Sequence, residues 1–130
     1  MIMSSTKPLP AKLFIKDNYD VVLLNAPAEY SAKLTPLPSG VKIKTTLVDK
    51  HDFIQVFLMD HEELKQQLSP LIVHLKQDGW LWISYPKGSS KIKTDINRDS
   101  IWEYAKGLGL KAVHQISIDG TWSAMRFRFE

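Results

Sequence analysis

Hydroxyl and basic side chains are concentrated between residues 86 and 98 of this sequence, where they could hold a negatively charged group. The candidates are Lys87, Ser89, Ser90, Lys93, Thr94 and Arg98. The segment follows a predicted strand and precedes a predicted helix, a position where α/β proteins often bind ligands. Lysines, hydroxyls and a helix N-terminus together suit a phosphate or a carboxylate. The glycine spacing of a P-loop is absent, which leaves either an anionic small molecule or an ordinary solvated loop.

A second set of candidate binding residues follows the first two buried strands. Asn25, Pro27 and Glu29 lie in the turn that leaves the first of these strands, and Asp60 follows the next one. In sheets of parallel strands, ligands bind beyond the carboxyl ends of the strands. We therefore expect these residues and the loop at Lys87–Ser90 to surround one pocket.

Some polar residues near these candidates are better explained by structure than by chemistry. Helix capping and an ion pair from Arg98 to Asp95 or Asp119 are favoured over ligand binding for the polar run at 95–99. Ser84 and Tyr85 point in opposite directions at the end of a buried strand. Satisfied core hydroxyls are favoured for them, with one of the two lining a crevice as the alternative.

Metal chemistry and base stacking are also disfavoured. The histidines at 51, 61, 74 and 114 lie in separate predicted elements without metal-ligand spacing, and each is expected at the surface or on a helix. Trp102, Trp122 and Phe127 could form an aromatic platform, but packing is favoured for them. Nucleic acid is not an expected partner, because the basic residues are spread along the chain.

Composition indicates one ordinary globular domain. The chain has 130 residues, a formal net charge of +3, 44% hydrophobic and 24% charged residues, and no cysteine. Residues 1–10 are expected to be a flexible N-terminus and residues 11–130 a single domain. No apolar run has the ~20 residues that a membrane-spanning helix needs, so neither a membrane partner nor a span is expected. The absence of cysteine fits a reducing cytoplasm.

Three short apolar runs predict central strands of a parallel sheet, at Val21–Leu24, Phe53–Met59 and Trp80–Tyr85. Each is apolar on both alternations, as in strands buried on both faces. Leucines at helical spacing after Asp60 predict a helix. Asp60 and Glu63 would form its capping box, Pro70 would kink or break it near Ser69, and Gly79 would end it.

The second half of the chain predicts another helix and an antiparallel hairpin. The helix spans about Asn97–Lys106, with Ser100 and Glu103 as its capping box. Lys111–Ile118 and Thr121–Phe129 are expected to pair through a two-residue turn, Asp119-Gly120.

Near the start of the sheet, a short helix at Ala28–Leu34 precedes a strand at Val41–Leu47. Because only about six residues separate this strand from Phe53, either a bare loop crosses to a parallel strand or the strand pairs antiparallel. The loop is favoured.

The order of these elements resembles class I S-adenosylmethionine-dependent methyltransferases, whose final strand is inserted antiparallel. More closely, Trp80–Lys87, Ser89-Ser90, Lys93–Asp99 and Asp119–Arg126 resemble a family of small bacterial proteins of unknown function, over nearly the whole chain beyond Lys12. The resemblance implies an α/β, three-layer, Rossmann-like and mostly parallel sheet of about six strands with a C-terminal antiparallel hairpin, and a cofactor site at the carboxyl ends of its strands.

The sequence departs from the methyltransferase pattern where that cofactor would bind. The first strand-to-helix turn needs glycines so that its backbone can approach the ligand, and an acidic residue is expected after the second strand. Here the turn reads Asn25-Ala-Pro-Ala-Glu29, and Thr45-Thr46 stand in the place of the acid. We therefore predict no cofactor, with S-adenosylmethionine disfavoured.

The function predicted first is a non-catalytic binding or regulatory module on a degenerate methyltransferase-like scaffold. The first alternative is a methyltransferase, or another small-molecule transferase, that binds its ligand in an atypical way. The second is an interaction domain that forms a homodimer through the edge at Val41–Leu47 or through the terminal hairpin.

Overall fold

The computed structural model describes residues 8–130 and arranges them as a six-stranded sheet with helices on both faces. The helices are α1 Leu9–Lys12, α2 Tyr30–Lys33, α3 His61–Ile72 and α4 Arg98–Lys106. The strands are β1 Asp20–Leu24, β2 Lys42–Lys44, β3 His51–Phe57, β4 Leu75–Pro86, β5 Leu110–Ser117 and β6 Trp122–Phe129.

The predicted flexible N-terminus falls mostly on residues 1–7, which lie outside the described residues. Its last part, Leu9 and Pro10, belongs to α1, and Pro10 is buried. No helix within residues 8–130 combines the length and the apolar character needed to cross a membrane.

The sheet confirms the predicted architecture. Its strand order is β2-β1-β3-β4-β6-β5, in which β1 to β4 are parallel and β6 is inserted antiparallel between β4 and β5. β2 and β5 form the two edges. The predicted strand at Val41–Leu47 is shorter in the structure, and a bare loop does make the crossing to β3.

The register explains why so short a loop can cross β1. Lys44 at the end of β2 is level with Val22, which pairs with Ile54, so the chain returns along only three residues of β3. That return is about 10 Å. Residues 45–50, which form the loop, can span about 20 Å when extended.

The central strands bury both of their faces, as their apolar patterns predict. Leu81 and Ile83 pack with the apolar stripes of α3 and α4, whereas Trp82 faces the opposite core with residues near α1 and α2. The Trp82 indole is fully buried, and its Nε1 donates to the carbonyl of Leu13 at 3.2 Å. This bond attaches the segment after α1 to the middle of the sheet.

Helix α3 begins as predicted but ends differently. Asp60 caps it by accepting from the Glu63 N–H at 2.9 Å, and Glu63 in turn accepts from the N–H of Met59 rather than from Asp60. Of the predicted kink or break near Ser69, the break does not occur, because the helix continues through Pro70 to Ile72. The predicted stop at Gly79 is also wrong.

Gly79 lies inside β4, where the register against β3 shifts. Leu75 pairs with His51, whereas the next pair is Trp80 with Phe53. A Cβ at Gly79 would lie 3.1 Å from the carbonyl oxygen of Asp52 and 3.0 Å from that of Lys76. The glycine is therefore required by a close backbone approach at this irregularity.

Two other predicted turns are built from different residues. The capping box of α4 joins Asn97 and Ser100, so the predicted pair of Ser100 and Glu103 is wrong. The hairpin turn extends from Ile118 to Thr121, because the Asp119 carboxylate accepts from the N–H groups of Thr121 and Trp122 at 2.8 and 2.9 Å. A side chain thus replaces the backbone geometry of a two-residue turn.

The prediction that every histidine lies at the surface or on a helix is wrong for His51. Its side chain is fully buried on β3, where Nδ1 lies 3.0 Å from a carboxylate oxygen of Asp20 and Nε2 accepts from the Val48 N–H at 3.0 Å. Both ring nitrogens are therefore used in holding β1, β3 and the crossing loop together. The histidine and carboxylate make a structural pair rather than a catalytic one.

Arg126 on β6 is held between two aromatic rings. Its guanidinium carbon lies 3.5 Å from the centroid of Trp80 and 4.3 Å from that of Phe14. Burial lowers the pKa of Arg126, and its Nε has no hydrogen-bond partner within residues 8–130. The stacking accounts for an arginine on a strand that is otherwise largely apolar.

Candidate functional site

The carboxyl ends of β1 and β3 border an apolar cleft of about 410 Å³, which we call the Trp122 cleft. Its lining residues are Asn25, Pro27, Phe57, Met59, Glu63, Gln67 and Trp122. Parallel pairing of β1 with β3 brings their ends to one edge, and the adjacent end of β4 pairs with the start of β6, which adds Trp122. The sheet register, and no local motif, assembles this site.

Asn25 forms one wall of this cleft in an unusual backbone conformation. Its φ is 62°, in the left-handed region that glycine adopts most easily and that asparagine tolerates better than most residues. Its side-chain amide donates to the carbonyl of Phe57 at 3.3 Å and to Oε1 of Gln67 at 2.7 Å. The side chain therefore bridges β1, β3 and α3.

Asn25 and Pro27 also line a second cleft, of about 340 Å³, on the side of β2. The other residues around this second cleft include Leu23, Ser31, Ile43 and Thr45. The turn after β1 consequently stands as a wall between two spaces at the carboxyl edge. A glycine-rich turn at this position would leave that space open to a ligand.

Aromatic side chains form the floor of the Trp122 cleft. The rings of Phe57 and Trp122 meet edge to face at 5.0 Å, and Tyr30 contacts the other side of Phe57 at 4.7 Å. Trp122 is 8% exposed and Phe57 is 1% exposed. Such edge-to-face packing makes a rigid apolar floor.

A buried polar chain lies under this floor. The Tyr30 hydroxyl donates to Oε1 of Gln55 at 3.0 Å, and Nε2 of Gln55 donates to the Ser84 hydroxyl at 2.9 Å. Gln55 and Ser84 are fully buried, and burial raises the pKa of Tyr30 well above its ordinary value. Ser84 is thus a satisfied core hydroxyl, as the sequence favours.

The carboxylates near the Trp122 cleft have structural partners. Asp60, a predicted site residue, does not line the cleft and instead caps α3. Glu63 does line it, with one oxygen accepting from the Met59 N–H at 2.8 Å. The second Glu63 oxygen has no hydrogen-bond donor within residues 8–130, so Glu63 can still accept a hydrogen bond from a ligand.

A separate cleft of about 460 Å³ lies where β4 ends and α4 begins, and we call it the Tyr85 cleft. It is lined by Tyr85, Lys87, Gly88, Ser89, Asn97, Arg98, Asp99, Gln115 and Ser123. Tyr85 is 5% exposed, and its phenol oxygen accepts from Nε2 of Gln115 at 2.9 Å. Burial raises the pKa of Tyr85, and the charge of Arg98 opposes that rise. Tyr85, rather than Ser84, is therefore the crevice-lining residue of the pair.

The ten predicted site residues are not gathered around one pocket. Asn25 and Pro27 line the Trp122 cleft, whereas Lys87, Ser89 and Arg98 line the Tyr85 cleft. The expectation of a single shared pocket is wrong, because the two clefts have no lining residue in common.

The remaining predicted residues lie outside both clefts. Ser90 donates to the carbonyl of Lys87 at 2.7 Å, and Thr94 donates to that of Met59 at 2.5 Å. Glu29 and Lys93 are exposed. Arg98 pairs with Asp99 rather than with Asp95 or Asp119, since Asp95 accepts from the His61 N–H and Asp119 pairs with Lys33. Ser90 and Thr94 therefore shape the loop.

Sequence reasoning missed the residues that complete both clefts. They include Phe57, Met59, Gln67 and Trp122 in one cleft, and Gln115 and Ser123 in the other. No group of three or more histidine, aspartate or glutamate side chains within residues 8–130 is arranged to hold a metal ion.

Comparison with known proteins places the fold. No protein-family model matches the chain, and no curated protein matches it. Three solved structures show its likeness to methyltransferases. A ribosomal protein L11 methylase from Lactobacillus delbrueckii subsp. bulgaricus has a TM-score of 0.59 and 14% identity, over 92% of this chain and 74% of that one.

Two further solved structures show the same likeness to methyltransferases. A DhpI–SAH complex has a TM-score of 0.66 and 10% identity, over 94% of this chain and 82% of that one. A SAM-dependent methyltransferase from Aquifex aeolicus has a TM-score of 0.60 and 10% identity, over 92% and 86%. The chain therefore has the fold of the class I S-adenosylmethionine-dependent methyltransferases.

Proposed function

We propose that this protein is a non-catalytic binding module that has kept the methyltransferase fold and lost the methyltransferase cofactor site. The observation that carries the proposal is the position of Asn25. Its side chain bridges β1, β3 and α3 at the carboxyl edge, and beside it an aromatic-floored cleft of about 410 Å³ stays open. In this proposal the Asn25 side chain blocks the place where a cofactor would bind, while a cleft of ordinary ligand size remains beside it.

The residues present do not fit S-adenosylmethionine bound in the manner of a glycine-rich turn. Pro27 offers no N–H, and the turn from Asn25 separates two clefts that an extended cofactor would have to join. Helix α2 has four residues, so few aligned peptide dipoles face the ligand. Thr45, rather than an acid that could bind ribose hydroxyls, follows β2.

The Trp122 cleft suits a small aromatic molecule that carries an amino group. Phe57 and Trp122 give the cleft an apolar aromatic lining, and the uncommitted oxygen of Glu63 is an acceptor for an ammonium or amine. No lysine, arginine or histidine lines this cleft among the described residues. An aromatic amine should therefore bind in preference to an aromatic acid of the same skeleton.

Fluorine NMR of protein labelled with 5-fluorotryptophan tests this proposal, with tryptamine as the probe. Four tryptophans give four resonances, and we expect tryptamine to shift the Trp122 resonance saturably while that of exposed Trp102 stays unchanged. At about 0.3 kcal/mol per non-hydrogen atom, a ligand of this size binds with a millimolar Kd. Single Trp→Phe variants assign the resonances.

Two matched controls test the chemistry of the cleft. Indole-3-propionate, the acid of similar size, should bind at least threefold more weakly than tryptamine. Glu63→Gln, which keeps the acceptor for the Met59 N–H, should weaken tryptamine and leave neutral tryptophol unaffected. If tryptamine shifts all four resonances alike, or if the acid binds as well as the amine, the proposed site is wrong.

The alternative is a methyltransferase that holds its cofactor in an atypical way. The observation that favours it is the likeness to DhpI, whose structure is a complex with SAH. In that case SAH itself, rather than tryptamine, should shift the Trp122 resonance.

A further inference from the structure

The Tyr85 cleft differs from the Trp122 cleft in position and in chemistry. Tyr85 belongs to the core beside α3 and α4, whereas Trp122 belongs to the core on the opposite face. Tyr85 pairs with Ser123, the residue next to Trp122, across β4 and β6. The two clefts have no lining residue in common.

The phenol of Tyr85 lies in the wall of this cleft and is held in place by protein groups. The residue is 5% exposed, and its oxygen accepts from Gln115 Nε2 at 2.9 Å. The Ser123 hydroxyl, which also lines the cleft, is a second hydrogen-bonding neighbour of the phenol. The phenol O–H is therefore fixed at the cleft, where it can donate to a bound oxyanion.

Two cationic side chains also line the Tyr85 cleft. Lys87 Nζ donates to the Ser117 hydroxyl at 2.6 Å, a neutral partner that leaves its charge uncompensated. Arg98 pairs with Asp99 at 3.3 Å, but their side chains are 62% and 75% exposed, so the pair is weak and easily rearranged. The planar guanidinium can contact an oxyanion through two N–H groups.

Neutral donors complete the surroundings. Asn97 and Ser100 cap each other at the start of α4, a helix of nine residues. The N–H groups of Arg98 and Asp99 in the first turn then have no acceptor within the helix. Ser89 adds a hydroxyl to the lining of the cleft. The hydroxyl and the free N–H groups are donors that a negatively charged oxygen can accept from.

We propose that the Tyr85 cleft binds a phosphate group, either free or as the monoester of a small molecule, through Tyr85, Lys87, Ser89 and Arg98. The proposal is independent of the Trp122 cleft, because it rests on different lining residues. It gives the protein a second ligand site, of opposite charge preference to the first.

Proton–nitrogen NMR with inorganic phosphate tests this site, at constant ionic strength maintained with chloride. We expect saturable shifts at the amides of Ser89, Arg98 and Asp99, with a Kd in the millimolar range. Arg98→Gln and Tyr85→Phe should each weaken binding at least threefold. The matched control is Lys91→Gln, which removes an exposed charge from the same loop outside the cleft and should leave the Kd unchanged.

Three results would overturn the proposal. They are shifts that rise linearly without saturation, equal weakening by Lys91→Gln and Arg98→Gln, and a Kd unaffected by Tyr85→Phe in a variant that melts normally. Arg98 is largely exposed, so its variant should fold and keep the test decisive. Tighter binding of glycerol 3-phosphate than of phosphate assigns the monoester, and equal binding assigns the free ion.

Discussion

Replacement of Trp82 by alanine should lower the free energy of unfolding by about 3–5 kcal/mol, a large share of the ~5–15 kcal/mol typical of a domain. The indole is fully buried in the middle of β4. Its removal leaves a cavity between the sheet and the segment after α1, and it leaves the Leu13 carbonyl without its donor. Urea unfolding followed by circular dichroism measures the change.

A matched tryptophan provides the control. Trp102 on α4 is 48% exposed, so Trp102→Ala should change the stability by no more than about 0.5 kcal/mol. Equal urea midpoints for the two variants would contradict the packing described for Trp82. Trp82→Phe, which keeps most of the apolar volume but not the N–H, should lie between them.

Gln55→Leu should lower the free energy of unfolding by about 2–4 kcal/mol, because it leaves two buried hydroxyls without their partner. Tyr30 loses the acceptor of its O–H, and Ser84 loses the amide that donates to it. Leucine is close to glutamine in size, so the loss is one of hydrogen bonds rather than of volume. Thermal and urea unfolding measure it.

Removing the whole polar chain separates the hydrogen-bond contribution from packing. The triple variant Tyr30→Phe, Gln55→Leu, Ser84→Ala has no unpartnered hydroxyl and should be more stable than Gln55→Leu alone. Additive losses across the three substitutions would show that the polar chain contributes only through shape. The comparison uses buried residues outside the lining of both clefts, so ligand binding does not complicate it.

The fold could be predicted from the sequence because its strongest signals are local. Strands buried on both faces must be apolar on both alternations, and β1, β3 and β4 each carry that pattern over four or more residues. The antiparallel end follows from a turn between two strand-like runs. Residue count leaves two alternatives before β3, a bare loop or antiparallel pairing, and the registers of β2 and β3 against β1 make the loop feasible.

Other structural features depend on contacts that no local pattern encodes. From the sequence, Gly79 is interpreted as a helix stop. In the structure a glycine is needed there because the Asp52 carbonyl on a neighbouring strand leaves no room for a Cβ. From the sequence, His51 is predicted at the surface. In the structure its two ring nitrogens are buried and form hydrogen bonds with Asp20 and with the N–H of Val48. From the sequence, Asn25 is notable only because it stands where a methyltransferase has glycine. The structure shows that its side-chain amide donates a hydrogen bond to Gln67.

Several lining residues of the two clefts were predicted from the sequence, but their division between two clefts was not. Lys87, Ser89 and Arg98 do lie together, since they flank one strand end and one helix start. Tyr85, Gln115 and Ser123 join them through strand pairing, which brings together residues that are far apart in the sequence. Trp122 and Ser123 are adjacent on β6 yet line different clefts, and the sequence pattern does not show that division.

The most direct test of the central claim, a methyltransferase fold without a methyltransferase cofactor site, is calorimetric titration of the wild-type protein with SAH, using DhpI as the positive control. We predict no saturable heat at millimolar SAH, under conditions in which DhpI binds. Saturable binding with a Kd below about 0.1 mM, equivalent to about 5.5 kcal/mol, would contradict the claim and identify the turn at Asn25 as an atypical cofactor site.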